Sequence, residues 1–208
     1  KQGDLELYLI YDTMSGRRQK TRDLKPGIYI VGEGITEQYY FSHIKKILDL
    51  NCRVKPRFFG NTSIKELDKK IERLLLDDVI IICVFDADVS QYNSAEKKRL
   101  KALYKKYGNN ENVLLCDSLP SIEFWFLIHY LDTNRIFKNS NEVEELLKTY
   151  ISNYKKTEVF LEKEKWVKDL CSENQLAEAI KRASQYQYES GSYSNVYKAF
   201  EILFKNKI

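Results

Sequence analysis

Residues 79–88 read VIIICVFDAD, and this stretch decides the fold class. An unbroken apolar run is followed at once by two aspartates, Asp86 and Asp88, with one residue between them. Such a run is typical of a strand that is buried on both faces, as strands of a parallel sheet are when helices cover them. We therefore expect a buried strand that delivers two carboxylates to one edge of a sheet, where α/β proteins place their ligand sites.

A second apolar strand with acids at its end lies upstream. Residues 27–37 read GIYIVGEGITE, so the predicted strand 27–32 leads directly into Glu33 and Glu37. If the two strands are parallel neighbours, their acids lie at the same edge of the sheet. Uncompensated carboxylates would repel one another and lose hydration, so a positive group is expected among them. A divalent cation is the simplest candidate.

Strand and helix patterns alternate from residue 27 to about residue 130. The predicted strands are residues 27–32, 54–59, 79–85 and 113–116. The segments between them have apolar residues at helical spacing, which implies right-handed crossovers and a parallel sheet. Beyond Pro120 the patterns predict only helices, at residues 122–131, 141–152, 158–171, 175–184 and 194–204. We predict an α/β domain over residues 1–135, with about four parallel strands flanked by helices, and a helical extension over residues 136–208 that packs on it.

The composition favours a globular chain with a polyanionic partner. Of the 208 residues, 43% are hydrophobic and 31% are charged, and no apolar stretch approaches the roughly 20 residues of a membrane span. We therefore expect no membrane association. The four cysteines lack CxxC spacing, which indicates reduced thiols, a cytoplasmic location and no structural zinc. The net charge of +4 fits nucleic acid as a partner, and the presence of only two histidines argues against chemistry built on a histidine pair.

The acidic positions have the residue types of a magnesium or manganese site. Glu33 and Glu37 are four residues apart at a strand–helix junction, so both can project over the end of the strand; the alternative is that they only complement the helix dipole. Asp86 and Asp88 are two residues apart, which in a strand places them on the same side. Carboxylate oxygens are the ligands that Mg²⁺ and Mn²⁺ prefer.

Two later segments offer further site residues. Glu123 begins a predicted helix that is apolar nearly all round, so it needs a partner, either a metal or a lysine; the alternative is again a simple interaction with the helix dipole. Lys155 and Lys156 lie in a break between predicted helices. A lysine close to a metal cluster stabilises the charge that develops on phosphoryl oxygens, whereas most lysine pairs are solvated surface.

One predicted helix, over residues 95–107, is strongly basic. Its candidates for contact with a nucleic-acid backbone are Lys97, Lys98, Lys101 and Lys105. The alternative is a solvated helix face. Three later tyrosines, Tyr186, Tyr188 and Tyr193, could stack on unpaired bases, but we favour a packing role for them.

In order and type, these clusters resemble the Toprim fold of type II topoisomerases, bacterial primases and several nucleases, with a glutamate after the first strand and Asp-x-Asp after the third. A narrower resemblance is to the RloB-like family of bacterial defence and restriction–modification loci, and it covers roughly residues 25–205. It rests on GEGITEQYYF at 32–41, FDAD at 85–88, SLPSIEFWFLIHY at 118–130, YKK at 154–156 and YSNVY at 193–197.

This resemblance implies a Toprim-like, Rossmann-like sheet and a site similar to that of the overcoming-lysogenisation-defect nucleases. In those enzymes a glutamate pair, Asp-x-Asp, Ser-x-Glu and a later lysine assemble a two-metal site. The implied metal ligands are Glu33, Glu37, Asp86, Asp88 and Glu123. The implied catalytic residues are Glu33, Asp86, Asp88 and Glu123, with Lys156 or, failing that, Lys155 at the phosphate.

The function implied is a Mg²⁺- or Mn²⁺-dependent nuclease in bacterial anti-phage defence, acting on DNA or RNA. The related nucleases often carry an ATPase domain, and this sequence has no GxxxxGK[ST] motif, so a separate ATPase or defence protein is an expected partner. One alternative is a nucleic-acid-binding or regulatory subunit that is active only within a complex with a larger partner. Another is a nucleotidyl-transferring or strand-rejoining enzyme that uses a nucleophilic tyrosine.

Overall fold

The structure is a computed structural model that describes residues 26–54, 63–88, 93–172, 174–186 and 191–206. Its strands are β1 (Gly27–Gly32), β2 (Arg53–Val54), β3 (Val79–Asp86), β4 (Val113–Leu119) and β5 (Tyr193–Ser194). Within these ranges they form one five-stranded sheet in the order β2-β1-β3-β4-β5. The pairs among β1 to β4 are parallel, and β5 is antiparallel to β4. The predicted α/β class with a parallel sheet is confirmed.

The helices lie between the strands and then dominate the C-terminal part. They are α1 (Ile35–Ile47), α2 (Ile64–Leu74), α3 (Ser94–Tyr107), α4 (Ile122–Leu127), α5 (Ser140–Leu147), α6 (Glu158–Leu161), α7 (Lys165–Leu170), α8 (Gln175–Gln185) and α9 (Tyr197–Lys205). Capping residues set several of the starts. The side chains of Ser63 and Asn93, for example, accept hydrogen bonds from the first backbone N–H groups of α2 and α3.

The apolar run of β3 is explained by helices on both faces of the sheet. On one face, Ile81, Cys83 and Phe85 pack with residues of α2 and α3. On the other face, Ile82 and Val84 pack with α1, α4 and helices of the C-terminal part. Because neither face meets water, no polar alternation is left in the strand.

The C-terminal part differs from its predicted pattern in four places, one of which is the predicted helix 141–152, which ends at Leu147. The predicted helix 122–131 ends at Leu127, and the predicted helix 158–171 is divided into α6 and α7. The predicted helix 194–204 begins only at Tyr197, because Ser194 belongs to β5, which no pattern predicted since two residues carry no periodicity. Of the predicted strand 54–59 only residue 54 lies inside the described residues, and Tyr188 lies outside them.

The described residues between 136 and 206 pack directly on the α/β part. Side chains of α5, α7, α8 and α9 share one core with α1 and α4, and β5 extends the sheet beyond β4. The helical extension is therefore also part of the sheet, while its treatment as a separate domain stays a prediction. Within the part of the chain that the structure describes, no helix has the length and apolar composition required to cross a membrane.

The strand order places three chain segments side by side at the carboxyl edge of the sheet. The chain leaves β1 for β2 on one side, and β3 then pairs with β1 on the other side. The edge between β1 and β3 is therefore the topological switch point at which α/β proteins bind their ligands. Because β4 neighbours β3, the chain from β4 into α4 reaches the same edge.

Candidate functional site

Glu33 joins the ends of β1 and β3. Its backbone N–H donates to the carbonyl oxygen of Val84 at 3.1 Å, which extends the pairing of the two strands by one residue. Its side-chain Oε2 accepts a hydrogen bond from the backbone N–H of Asp86 at 2.9 Å. The carboxylate is therefore held against the end of β3, although 53 residues separate Glu33 from Asp86.

Glu37 lies in the first turn of α1 and is only 4% exposed. Its Oε2 accepts a hydrogen bond from the backbone N–H of Gly34 at 2.9 Å. The close approach of this residue to β1 depends on Gly32, because a Cβ atom there would lie 2.5 Å from Cβ of Glu37. The glycine before Glu33 therefore makes room for the second glutamate.

Asp86 connects β3 to the start of α4. Its Oδ1 accepts a hydrogen bond from the backbone N–H of Ile122 at 2.9 Å. Ile122 is the first residue of α4 and precedes Glu123. The predicted acidic segments are thus linked in order, from Glu33 to the backbone of Asp86 and from the Asp86 side chain to α4.

Glu123 is fully buried, and protein groups engage both of its oxygens. Oε2 accepts from Oγ of Ser121 at 2.6 Å and pairs with Nζ of Lys156 at 2.9 Å. Oε1 accepts from the hydroxyl of Tyr154 at 2.8 Å. Of the two partners that the sequence left open for this acid, the structure supplies the lysine.

Lys156 is the cation of the site, and it bridges two acids. Its Nζ lies 2.9 Å from Glu123 and 2.9 Å from Glu144 of α5. Burial lowers the pKa of Lys156, but the two carboxylates outweigh burial and raise the pKa above its ordinary value. Its neighbour Lys155 is exposed and has no ion pair within the described residues.

Burial and neighbouring charges raise the pKa of Glu33 to about 7. Loss of hydration is the largest cause, and the charges of Asp88 and Glu96 act in the same direction. The hydrogen bond from Asp86 and the charge of Lys156 partly oppose this rise. Asp88 is therefore within electrostatic reach of Glu33.

Glu37 and Asp86 show the same mutual repulsion. Burial raises the pKa of Glu37 to about 7, and the charges of Glu123 and Glu33 add to the rise. Burial also raises the pKa of Asp86 well above its ordinary value, with further rises from Glu37, Glu123 and Glu33, while Lys156 lowers it. The structure thus brings together four carboxylates from three segments, with one lysine among them.

The donor set of this cluster fits a divalent cation in charge and chemistry. All its ligand atoms are carboxylate oxygens, and one lysine does not balance four carboxylates. In the described residues, Oε1 of Glu33 and Oδ2 of Asp86 accept no hydrogen bond, so each has an oxygen available. The geometry is not that of a formed site: across residues 26–54, 63–88, 93–172, 174–186 and 191–206, no three His, Cys, Asp or Glu side chains are arranged to hold a metal. Glu33, Glu37 and Asp86, with Asp88, are the residues that could hold one.

The predicted basic surface is only partly brought to the site. Lys97, Lys98, Lys101 and Lys105 are all exposed on α3. Lys97 and Lys101 line a cleft that includes Ala87, between the two aspartates, whereas Lys98 and Lys105 do not line it. Tyr186 and Tyr193 make packing and hydrogen-bond contacts, with Phe124 and Asp117 respectively, as favoured above.

Sequence reasoning missed three residues that shape the cluster, namely Tyr154, Glu144 and Glu96. Tyr154 donates to Glu123, and its position directly before the lysine pair was the available signal. Glu144 lies on an ordinary amphipathic helix, and nothing in its spacing marks it as a partner of Lys156. Glu96 is buried at the start of α3 and pairs with Arg99, so it resembles any acid in a first helical turn.

Together the fold and the site define an α/β protein that collects carboxylates at the carboxyl edge of a mostly parallel sheet, an arrangement consistent with a Toprim-like fold. The family model described as RloB-like protein matches residues 28–203, so the chain belongs to the RloB-like family. The resemblance to the RloB-like family is thereby confirmed, while the similarity of the metal site stays a prediction. No curated protein and no solved structure matches this chain.

Proposed function

We propose that this chain is a divalent-metal-dependent nuclease that hydrolyses phosphodiester bonds, and that it acts in bacterial defence against phage. The observation that carries the proposal is the group of two buried acids, Glu37 and Glu123, and two half-buried acids, Glu33 and Asp86, with Lys156 at the switch point of the sheet. Desolvated carboxylates that raise one another's pKa destabilise the folded chain, and such groups are concentrated at functional sites. The defence role rests on the resemblance of the motifs to RloB-like proteins of defence loci, and the chain belongs to that family over residues 28–203.

The residues have distinct parts in this proposal. Glu33, Glu37 and Asp86, with Asp88, hold Mg²⁺ or Mn²⁺, as the sequence pattern predicted. A bound divalent cation supplies Lewis acidity and neutralises charge on phosphate oxygens. Backbone N–H groups hold one oxygen of Glu33 and of Asp86, so the direction of each carboxylate is set before a ligand arrives.

Glu123 and Lys156 act as a pair in the same proposal. Because both oxygens of Glu123 are engaged, this residue positions Lys156 more readily than it binds a metal directly. Nζ of Lys156 is then held where its positive charge acts on Glu33 and Asp86 and on a phosphate bound beside them. Direct metal ligation by Glu123, as the motif resemblance implies, would have to use a remaining lone pair of an oxygen that already has a protein partner.

The test is cleavage by the purified chain of plasmid DNA, single-stranded DNA and RNA, with Mg²⁺ or Mn²⁺ and with a chelator. Asp86→Asn and Glu33→Gln remove a charge but keep the shape and the hydrogen-bond acceptor. Each is expected to lower the rate more than about 100-fold, because even the loss of a group supporting a metal ligand costs 10- to 100-fold. Asp78→Asn is the matched control, since Asp78 is exposed in the turn before β3.

Wild-type rates in both site variants, or cleavage that persists in the chelator, would refute the nuclease proposal. The melting temperature of each variant is measured beside its rate, so that unfolding is not mistaken for a loss of catalysis. The rate is compared only for variants that melt as wild type does.

A second candidate is a nucleic-acid-binding or regulatory subunit that becomes active only within a complex. The observation that favours it is the engagement of Glu123 by Ser121, Tyr154 and Lys156, which leaves the acidic group short of a formed metal site in the described residues. Saturable Mn²⁺ binding by calorimetry, without cleavage of any substrate by the isolated chain, would favour this candidate. Cleavage by the isolated chain would exclude it.

The strand-rejoining alternative needs an accessible tyrosine beside the acids. Tyr154 contacts the cluster, but it is fully buried and its hydroxyl donates to Glu123. Burial, followed by the charge and hydrogen bond of Glu123, raises its pKa well above the ordinary value, which disfavours a phenolate nucleophile. We therefore do not assign this chemistry to Tyr154.

A further inference from the structure

A cleft of about 360 Å³ lies beside the acidic group, between α3 and the ends of β3, β4 and β5. Its lining consists of two lysines, two phenols, a buried carboxylate, an amide and apolar groups. These residues are Ala87, Lys97, Leu100, Lys101, Tyr104, Asp117, Tyr193 and Asn195. The volume is at the lower end of the range for small-molecule sites, which is roughly 300 to 1,000 Å³.

The cleft opens next to the candidate metal ligands. Ala87, which lies between Asp86 and Asp88, is part of its lining. The backbone N–H of Ala87 donates to the carbonyl oxygen of Ser118 at 2.8 Å, which holds this end of β3 against β4. A nucleic-acid strand with one phosphate at the carboxylates therefore places a neighbouring nucleotide at the cleft.

The polar part of the cleft is a buried hydrogen-bonded group. Asp117, which is 3% exposed, accepts hydrogen bonds from the hydroxyl of Tyr193 and from Nδ2 of Asn195, the latter at 2.8 Å. The backbone N–H of Asn195 also donates to the carbonyl oxygen of Asp117 at 2.7 Å. Within the described residues Oδ1 of Asn195 accepts no hydrogen bond, so an acceptor remains available to a ligand.

One face of α3 forms the opposite wall. Lys97, Lys101 and Tyr104 are spaced four and three residues apart, which places them on the same side of the helix. In the ranges that the structure describes, the ion pairs of α3 are made by Arg99 and Lys106, and neither Lys97 nor Lys101 has one. Two cations and an aromatic ring therefore face the cleft together.

We propose that this cleft receives one unpaired nucleotide of a nucleic-acid strand, with its phosphate at Lys97 and Lys101 and its base against Tyr104. Lysines supply the charge that a phosphate needs, and a tyrosine ring supplies a stacking surface that tolerates any base. The cleft has room for one nucleotide, and a base that enters it leaves its stack. The inference deepens the proposed nuclease function and rests on it for the identity of the substrate, which becomes single-stranded or locally unpaired.

The test is binding without catalysis. Fluorescence anisotropy measures the affinity for a short labelled single strand and for the same sequence as a blunt duplex, in a chelator. We expect the single strand to bind at least about tenfold more tightly. Lys97→Ala/Lys101→Ala is expected to weaken single-strand binding about tenfold and to lower the slope of log affinity against log salt by about 0.7, the value for one lost phosphate contact.

The matched control is Lys65→Ala/Lys69→Ala. These two lysines are exposed on α2 with the same four-residue spacing, so the change in net charge is identical. This control is expected to change the affinity less than about threefold. Tyr104→Ala is expected to weaken binding about tenfold and Tyr104→Phe to retain it, because the ring and not the hydroxyl carries the stacking.

Three outcomes would overturn the inference, namely equal losses in the two double variants, duplex binding as tight as single-strand binding, and normal binding by Tyr104→Ala. Saturation of the cleft by a free mononucleotide, with no preference for a strand, would overturn it as well. None of these results depends on cleavage. If Asp86→Asn cleaves as wild type does, the nuclease proposal fails while the binding result stands; if the cleft variants bind normally, only the cleft assignment fails.

Discussion

Replacing Lys156 by methionine removes the positive charge from the acidic group while keeping an unbranched apolar side chain. In the folded chain Glu123 then remains fully buried, with only the hydroxyls of Ser121 and Tyr154 as donors. The carboxylates of Glu33 and Asp86 lose the cation that lowers their pKa values. The variant should therefore be less stable, and the loss should depend on the charge of Glu123.

The magnitude follows from the burial of the two partners. Removing one member of a buried ion pair costs about 3 to 5 kcal/mol. The side chain of Lys156 is 35% exposed, so water screens part of its interaction, and the two hydroxyls still solvate Glu123. We therefore expect a loss of about 2 kcal/mol in the free energy of unfolding. For a chain of this size that corresponds to a fall of roughly 4 to 8 °C in melting temperature.

The assay is chemical denaturation at neutral pH in a chelator, carried out as a double-mutant cycle with Glu123→Gln. In the double variant Glu123 no longer carries a charge that the loss of Lys156 could leave unpaired. Its loss in free energy of unfolding should therefore be about 1 to 2 kcal/mol smaller than the sum of the losses in the two single variants. Lys155→Met is the control, because the side chain of Lys155 is exposed. We expect it to change the free energy of unfolding by less than about 0.5 kcal/mol. Equal stability of the two lysine variants, or a coupling near zero, would refute the reasoning.

Three further predictions concern the same site. Without metal, the folded chain binds a proton at Glu33 more tightly than the unfolded chain does, so the free energy of unfolding should fall as the pH rises from 4.5 to about 7. Glu33→Gln should make the free energy of unfolding, measured by denaturation at several pH values, depend less on pH in this range. An unchanged pH dependence would count against the raised pKa of Glu33. Gly32→Ala should cost about 2 kcal/mol, because its Cβ meets Glu37 at 2.5 Å, whereas Gly27→Ala, whose nearest contact is 3.6 Å, should melt within about 1 °C of wild type. At about 100 times its dissociation constant, Mg²⁺ or Mn²⁺ should stabilise the wild type by about 2.7 kcal/mol; an equal shift in Asp86→Asn would place the cation elsewhere.

The sequence by itself determined the central sheet and the edge at which the acids gather. The apolar run of β3 is typical of a strand covered on both faces, and its aspartates follow it directly. Because parallel strands end at the same edge, the meeting of Glu33 with Asp86 followed from their positions after two such strands. These inferences needed only local patterns and one rule of sheet topology.

Only the tertiary structure decided which partners each acid has. Tyr154 reaches Glu123 across 31 residues and Asn195 reaches Asp117 across 78, and neither pair lies in a repeating pattern. The same holds for β5, whose two residues are held in place by β4 and not by any propensity of their own. The rotation of α3 against the sheet also decides which of its lysines line the cleft. Lys97 and Lys101 line it, whereas Lys98 and Lys105 do not. A sequence shows period and order along the chain, whereas these contacts depend on the packing of elements that are distant along it.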